Sequence, residues 1–226
     1  MGVAVKICGL TSPDAVAAAV RGGAAMTGFV FYPRSPRSLE VEAAAALALA
    51  VPDRVLRVGV MVDPDDALLD RVLARVPLDM LQLHGRETPE RVAAIRRRTG
   101  WMVMKALKVA RATDLEPVAS YAAVADYLLF DAKAPEDAPV PGGNGLAFDW
   151  RVLDGLSLDR PWLLAGGLDL ANLEAAVRLT GARALDVSSG VESRPGHKDI
   201  GKIQAFLARA AVLEPAPAGP PLEVPA

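Results

Sequence analysis

The chain reads as an α/β protein built as a single (β/α)8 (TIM) barrel, and three observations lead there. Short β-like apolar runs alternate with Ala/Leu/Val/Arg-rich helical segments, and about eight such units fill roughly the first 210 residues. Helix-start signals follow the runs one after another. Polar residues recur at the C-terminal ends of the runs, where a packed interior would want none.

The runs are, in order, VAVKIC (3–8), GFVFY (28–32), RVLRVGVMV (54–62), LDMLQLH (78–84), WMVMKAL (101–107), ADYLLFDA (125–132), PWLLAGG (161–167) and RALDVSSG (183–190). Between them stand TSPDA, DPDDA, ETPERV, ATDLEPV, DLANLEAA and HKDIGKI. Each puts Asp, Glu, Ser or Thr in or just before a first helical turn, where unpaired N–H groups and the helix dipole favour them. Strand followed by helix, repeated, implies parallel strands joined by right-handed crossovers. A doubly wound open sheet would share that alternation, but eight units match the closed barrel. The sixth connection (133–160) is irregular, rich in Pro and Gly, with a short helical pattern near 148–155. The barrel domain is expected over 1–211, and the Pro/Ala-rich segment 212–226 is expected to be a disordered tail, too poor in core-forming residues to fold.

Composition narrows the function. Of 226 residues, 52% are hydrophobic and 23% charged, with a net charge of −2. There is no basic footprint for nucleic acid, no apolar stretch near the ~18 residues of a membrane span, and no leader pattern at the start. A lone cysteine forms no internal disulfide, so it is expected to stay reduced, in the cytoplasm. Two histidines and one cysteine are a poor zinc set, and no metal site is expected. With no apolar stripe that demands a partner, a monomer is expected.

In a parallel barrel the reactive groups gather at the C-terminal strand ends. The candidates there are Cys8, Arg37, Asp63, Gln82, His84, Lys105, Asp131, Gly166 and Gly167, and the stretch Asp186–Gly190. Lys6 and Cys8 share a strand face, so a cation would stand near the thiol and favour its thiolate, unless Asp186, beside the first strand once the barrel closes, captures Lys6. Asp131 closes an apolar run, where ionisation is costly and proton donation favoured; a loop cap is the alternative. Gly166, Gly167, Ser188, Ser189 and Gly190 follow the last two strands, the usual place for a phosphate in such barrels. Two arginines, Arg34 and Arg37, stand in a Pro-stiffened loop after the second run; one of their guanidiniums suits an anion such as a carboxylate, with a solvated basic loop as the alternative. Gln82 and His84 are candidate substrate contacts at the end of the fourth run, although His84 taken alone is better explained as a residue flanking the next helix. His197 has no assigned role.

Taken together, KICGLT, GFVFYPRSPR, LQLHG, LLFDA, LAGGL and DVSSGVESRPGHKD resemble, in order and spacing, the phosphoribosylanthranilate isomerase family from residue 3 to about 210. The combination of the first, second and last of these is highly specific. The resemblance implies a cofactor-free Amadori rearrangement of a small phosphorylated substrate in tryptophan biosynthesis. It implies that Cys8 is the general base, Asp131 the general acid, Arg37 the ligand of the anthranilate carboxylate, and Asp186 a neighbour of the sugar hydroxyls. The chain departs from the family pattern at GAAMTGF, where an aspartate is missing and Thr27 stands on an apolar strand, and at GGNGLAFDW, where Asn144 and Leu146 replace a threonine and a lysine. A related barrel isomerase that also serves histidine synthesis would carry an aspartate at position 8, and a binding-only descendant would lack the acid or the base.

Overall fold

The computed structural model describes residues 2–132, 149–156 and 158–214. Eight parallel strands close into a barrel in sequence order: β1 (Ala4–Cys8), β2 (Met26–Val30), β3 (Leu56–Met61), β4 (Met80–Leu83), β5 (Met102–Val109), β6 (Tyr127–Ala132), β7 (Trp162–Leu164) and β8 (Ala184–Val187). Closure is direct, with Lys6 of β1 in register with Asp186 of β8. The outer helices are α1 (Pro13–Arg21), α2 (Val41–Leu49), α3 (Asp66–Leu73), α4 (Pro89–Thr99), α5 (Val118–Ala122), α6 (Leu173–Thr180) and α7 (Ile200–Ala211), and a 3-10 turn (Trp150–Leu153) stands between β6 and β7. The expected tail runs out of the described residues after 214, as do Asn144 and Leu146.

The start signals act as caps. The side chains of Ser12, Asp65, Thr88 and Asp199 accept hydrogen bonds from Ala15, Leu68, Arg91 and Lys202 N–H at the starts of α1, α3, α4 and α7. Each satisfies one of the donors that a first turn leaves unpaired.

Strand alternation sorts the side chains into two cores. Val5, Ile7, Phe29, Leu81, Val103, Phe130 and Leu185 point outward against the helices. Met26, Leu56, Val58, Met80, Met104, Tyr127, Leu129 and Leu163 fill the barrel interior. The three methionines among them suit an irregular, tapering space because the thioether side chain is unbranched and adaptable.

The second strand begins at Met26, two residues before the apolar run GFVFY, because Met26 supplies the interior layer. Thr27 faces the other way, fully buried, and donates its hydroxyl to the Leu56 carbonyl at 3.3 Å, so its polarity is satisfied. After β8 the chain makes a 3-10 turn (Ser189–Val191) and then a short antiparallel hairpin, β9 (Glu192–Arg194) and β10 (His197–Lys198), that the apolar pattern does not announce.

Candidate active site

Above the apolar interior layer, the same strand faces carry polar groups: Lys6 and Cys8 on β1, Gln82 and then His84 at the end of β4, Lys108 on β5, Asp131 on β6 and Asp186 on β8. Lys6 is fully buried and its Nζ lies 2.9 Å from Asp186 Oδ1. An isolated ammonium could not remain charged there, so the pair is what makes the burial tolerable. Burial by itself would lower Lys6, but Asp186 and Cys8 outweigh it and hold the lysine above its ordinary range. Lys6 is therefore committed to Asp186, and burial dominates at the thiol: Cys8 is pushed up despite the opposing fields of Lys6 and Lys198. Of the two alternatives for Lys6, capture by Asp186 is the one observed.

Gly28, the register partner of Cys8 on β2, makes the space for this arrangement. A methyl group there would stand 3.1 Å from both Cys8 Sγ and Lys6 Nζ. Gly28→Ala is expected to displace thiol and ammonium by a few tenths of an ångström and to lower kcat/KM by about tenfold or more, since side chains at a barrel mouth tolerate little misplacement. Steady-state kinetics beside a thermal melt will separate this from unfolding.

Arg37 is buried and forms a two-pronged pair with Glu192, Nε to Oε1 at 2.7 Å and Nη2 to Oε2 at 2.8 Å. The geometry fixes the guanidinium plane. Burial would raise Glu192, but Arg37 and Lys198 overcome it and keep the carboxyl below the usual glutamate range. Gly9, with φ of +75°, lets the Arg37 stem cross the chain, since a Cβ there would meet Arg37 Cδ at 2.5 Å.

Lys198, deeply buried on β10, joins the set: its Nζ lies 2.8 Å from Glu192 Oε1 and donates to the Ser188 carbonyl at 2.9 Å. Burial holds Lys198 below the ordinary lysine range. The Ser188 hydroxyl donates to the Cys8 carbonyl at 3.0 Å, tying the ends of β8 and β1 together. The expected part of Ser188 in phosphate binding rests on its backbone N–H, which this bond does not engage. Glu192 and Lys198 are the residues the strand-end rule missed; the signal was two opposite charges flanking the turn Arg194-Pro195-Gly196.

Across the barrel, Asp131 Oδ1 accepts the Ala132 N–H at 2.9 Å and Asp131 Oδ2 lies 3.0 Å from His84 Nε2. His84 Nδ1 lies 2.8 Å from Gln82 Nε2. So His84 does more than flank a helix, and Gln82, fully buried one layer deeper, meets His84 where a substrate contact was expected.

Two other strand-end candidates leave the site. Lys105 has the outward parity of Val103 and Leu107, and its Nζ pairs with Glu87 Oε2 at 2.6 Å. Glu87 also accepts the Asp63 and Gly85 N–H groups, while Asp63, at φ of +46°, accepts the Arg86 N–H. The buried Lys105–Glu87 pair and the exposed Asp63 together brace the loops after β3 and β4. Lys108 is the β5 residue that faces Asp131, its register partner. A cleft of about 330 Å³ lies beside the brace, with Lys105, Lys108 and Tyr121 in its wall, and it reaches neither Cys8 nor Asp131.

The loops after β7 and β8 meet. Gly166 and Gly167 have φ of +89° and +66°, and a Cβ on Gly166 would stand 2.6 Å from Ala132 N. Gly190 packs so closely on the Leu168 carbonyl that no side chain fits. Ser189 and Gly190 form the 3-10 turn beside them. Among the described residues, no group of three or more His, Cys, Asp or Glu side chains could hold a metal ion, and no helix is long and apolar enough to cross a membrane.

This arrangement agrees with what the chain is similar to. The sequence profile of N-(5'phosphoribosyl)anthranilate (PRA) isomerase matches residues 5–209. The N-(5'-phosphoribosyl)anthranilate isomerase of Rhodospirillum centenum is 60% identical over 214 residues, covering 94% of this chain and all of that protein. The crystal structure of phosphoribosyl anthranilate isomerase from Thermotoga maritima superposes with a TM-score of 0.83 at 37% identity, covering 93% of this chain and all of that one. A structure of phosphoribosyl anthranilate isomerase in complex with reduced 1-(o-carboxyphenylamino)-1-deoxyribulose 5-phosphate superposes with a TM-score of 0.79 at 34% identity, again covering 93% of this chain and all of that one. The chain belongs to the N-(5'-phosphoribosyl)anthranilate isomerase family.

Proposed function

We propose that the chain converts N-(5'-phosphoribosyl)anthranilate to 1-(2-carboxyphenylamino)-1-deoxyribulose 5-phosphate, with Asp131 as general acid and Cys8 as general base. The observation that carries this reading is the opposition of a buried thiol on β1 and a buried carboxyl on β6, three strands apart around one closed mouth. The rearrangement needs two groups of opposite task. Asp131 gives its proton to the ribose ring oxygen, and the ring opens to a cationic Schiff base. The Cys8 thiolate removes the proton on C2, leaving an enolamine. C1 then takes a proton from the Cys8 thiol, and the C2 hydroxyl returns one to Asp131 as it becomes the ketone. Every bond change is a proton transfer or the ring opening it drives, so the chemistry calls for no metal or redox cofactor.

Cys8 is pushed up by burial in the free protein, so the thiolate needs support. Lys6 and Lys198 supply part of it, and the positive Schiff base supplies more when it arrives. Asp186, holding Lys6, borders the sugar hydroxyls. Gly166, Gly167, Ser189, Gly190 and the Ser188 backbone border the phosphate. Arg37, its plane set by Glu192, receives the anthranilate carboxylate. The two anionic ends would stretch the substrate across the mouth between acid and base.

Turnover of freshly generated N-(5'-phosphoribosyl)anthranilate, followed by loss of its anthranilate-type fluorescence, tests the activity. Rapid loss catalysed by the wild-type chain is expected. Tight binding of the reduced product analogue with no turnover would contradict it and mark a binding-only protein.

We also read the chain as a cytoplasmic monomer with one catalytic domain, 1–211. The single thiol supports the compartment. Among the described residues, the large exposed apolar side chains Leu49, Leu170, Leu179 and Val212 stand on or beside three different helices, which supports the monomer. Sedimentation is expected to give one species near 23.7 kDa at micromolar concentration; a species of twice that mass would overturn the monomer.

A further inference from the structure

We infer that Gln82 is a positioning residue that governs whether Asp131 is charged with its proton, acting through His84 by turning its side-chain amide. The inference rests on the acid role proposed for Asp131 and deepens it. Its basis is a linear chain of three buried side chains, Gln82 Nε2 to His84 Nδ1 at 2.8 Å and His84 Nε2 to Asp131 Oδ2 at 3.0 Å. At its far end, Gln82 Oε1 is a buried oxygen with no hydrogen-bond partner among the described residues. A fully buried amide with one end used and the other orphaned requires an explanation.

In the orientation observed, the amide N–H donates to His84 Nδ1, so that nitrogen holds a lone pair. The imidazole proton is then on Nε2 and donates to Asp131, which accepts as a carboxylate. That is the state after Asp131 has delivered its proton. When Asp131 is recharged, its carboxyl donates to Nε2, which must then hold the lone pair, and the imidazole proton moves to Nδ1. Nδ1–H now faces the amide, and only the oxygen of Gln82 accepts it. A half-turn of the amide supplies that oxygen. The recharged state holds one proton more than the observed one; solvent supplies it before the first ring opening, and the C2 hydroxyl of the substrate returns it at the end of each turnover.

Each orientation leaves one amide end unpaired, Oε1 in the first and Nε2 in the second, so neither is locked in by a fully satisfied network. An amide is the one uncharged side chain of this shape that offers a donor and an acceptor to the same place. A carboxylate would offer only acceptors and a methionine neither.

The test uses two variants read in opposite directions. The chain has two histidines, so long-range proton–nitrogen spectra, with His84→Asn for assignment, report which His84 nitrogen carries hydrogen. In the free wild-type protein at neutral pH the proton is expected on Nε2. In Gln82→Glu, an acceptor-only side chain faces Nδ1, and a proton is expected there. The more protonated state of the His84–Asp131 pair is then favoured, and the alkaline limb of kcat moves up by half a pH unit or more. In Gln82→Met, Nδ1–H has no acceptor. The recharged acid is disfavoured, the same limb moves down, and kcat falls about tenfold with KM within twofold of wild type.

The other charged or titratable groups at this mouth are Lys108 on β5, Arg86 and Asp63 in the loops after β4 and β3, and Lys6, Cys8, Asp186, Arg37, Glu192 and Lys198 on the opposite wall. They are common to all the variants, so a difference between the profiles reports position 82. Should the glutamate variant not fold, the methionine variant still decides. Limbs unmoved in either folded variant, or moved the same way in both, would overturn the inference while leaving the isomerase reading intact. A wild-type chain without turnover, or an Asp131→Asn variant at full activity, would overturn the acid reading itself and the inference with it.

Discussion

Asparagine at position 131 is expected to lower kcat by about 10²–10⁴-fold while KM stays within a few-fold, the usual yield of a positioned general acid. The substitution is nearly isosteric. Its amide oxygen accepts the Ala132 N–H as Asp131 Oδ1 does at 2.9 Å, and its amide nitrogen faces His84 Nε2 where Asp131 Oδ2 now lies at 3.0 Å. The barrel should therefore fold and bind as before, lacking only the transferable proton. Steady-state kinetics with binding of the reduced product analogue will check both halves. A variant that keeps wild-type kcat would remove Asp131 from the chemistry, and one that loses binding as well as kcat would make it a ligand contact.

The second large effect is expected at Cys8. Cys8→Ser should cost a comparable 10²–10⁴-fold in kcat, because a serine hydroxyl is a far weaker acid than a thiol and forms almost no alkoxide. The same physics sets a pH dependence in the free protein. Burial pushes the thiol up, more than Lys6 and Lys198 pull it down. The thiolate is then scarce at neutral pH and is released as pH rises beyond the ordinary thiol range of about 8.5. Alkylation by iodoacetamide should accordingly be slow at pH 7 and accelerate above that range. The chain has one cysteine, so mass measurement of the intact protein reads it directly. Fast labelling already complete at pH 7 would contradict the dominance of burial.

Much of this was legible in one sequence, for physical reasons that differ by element. Parallel strands buried on both faces read as apolar runs, and capped helices announce their starts, so the barrel followed from the order of runs and caps. Cys8 and Asp131 could be singled out because each closes such a run at the end where barrels keep their reactive groups. The Lys6–Asp186 pair was foreseeable from closure alone, since the first and last strands must meet.

The Arg37–Glu192–Lys198 cluster was hidden because its partners are far apart in sequence and the β9–β10 hairpin that carries two of them is too short to show a period. The Gln82–His84–Asp131 chain crosses between two strands that are not neighbours, which no local pattern encodes. Lys105 was misplaced for a simpler cause. Counting parity from Met104 and Ala106, which face the interior, would have put Lys108 at the mouth and Lys105 outside.

The central claim is that Asp131 and Cys8 serve successive steps, ring opening and then removal of the C2 proton. Turnover of substrate carrying deuterium at C2 tests it most directly, compared with protium substrate in Cys8→Ser and in Asp131→Asn. If the roles are as assigned, weakening the base makes cleavage of the C2 bond limiting, and Cys8→Ser shows a several-fold primary isotope effect on kcat. Weakening the acid makes ring opening limiting, and Asp131→Asn shows an effect near unity. An isotope effect confined to Asp131→Asn, or absent from Cys8→Ser, would contradict the assignment of acid and base.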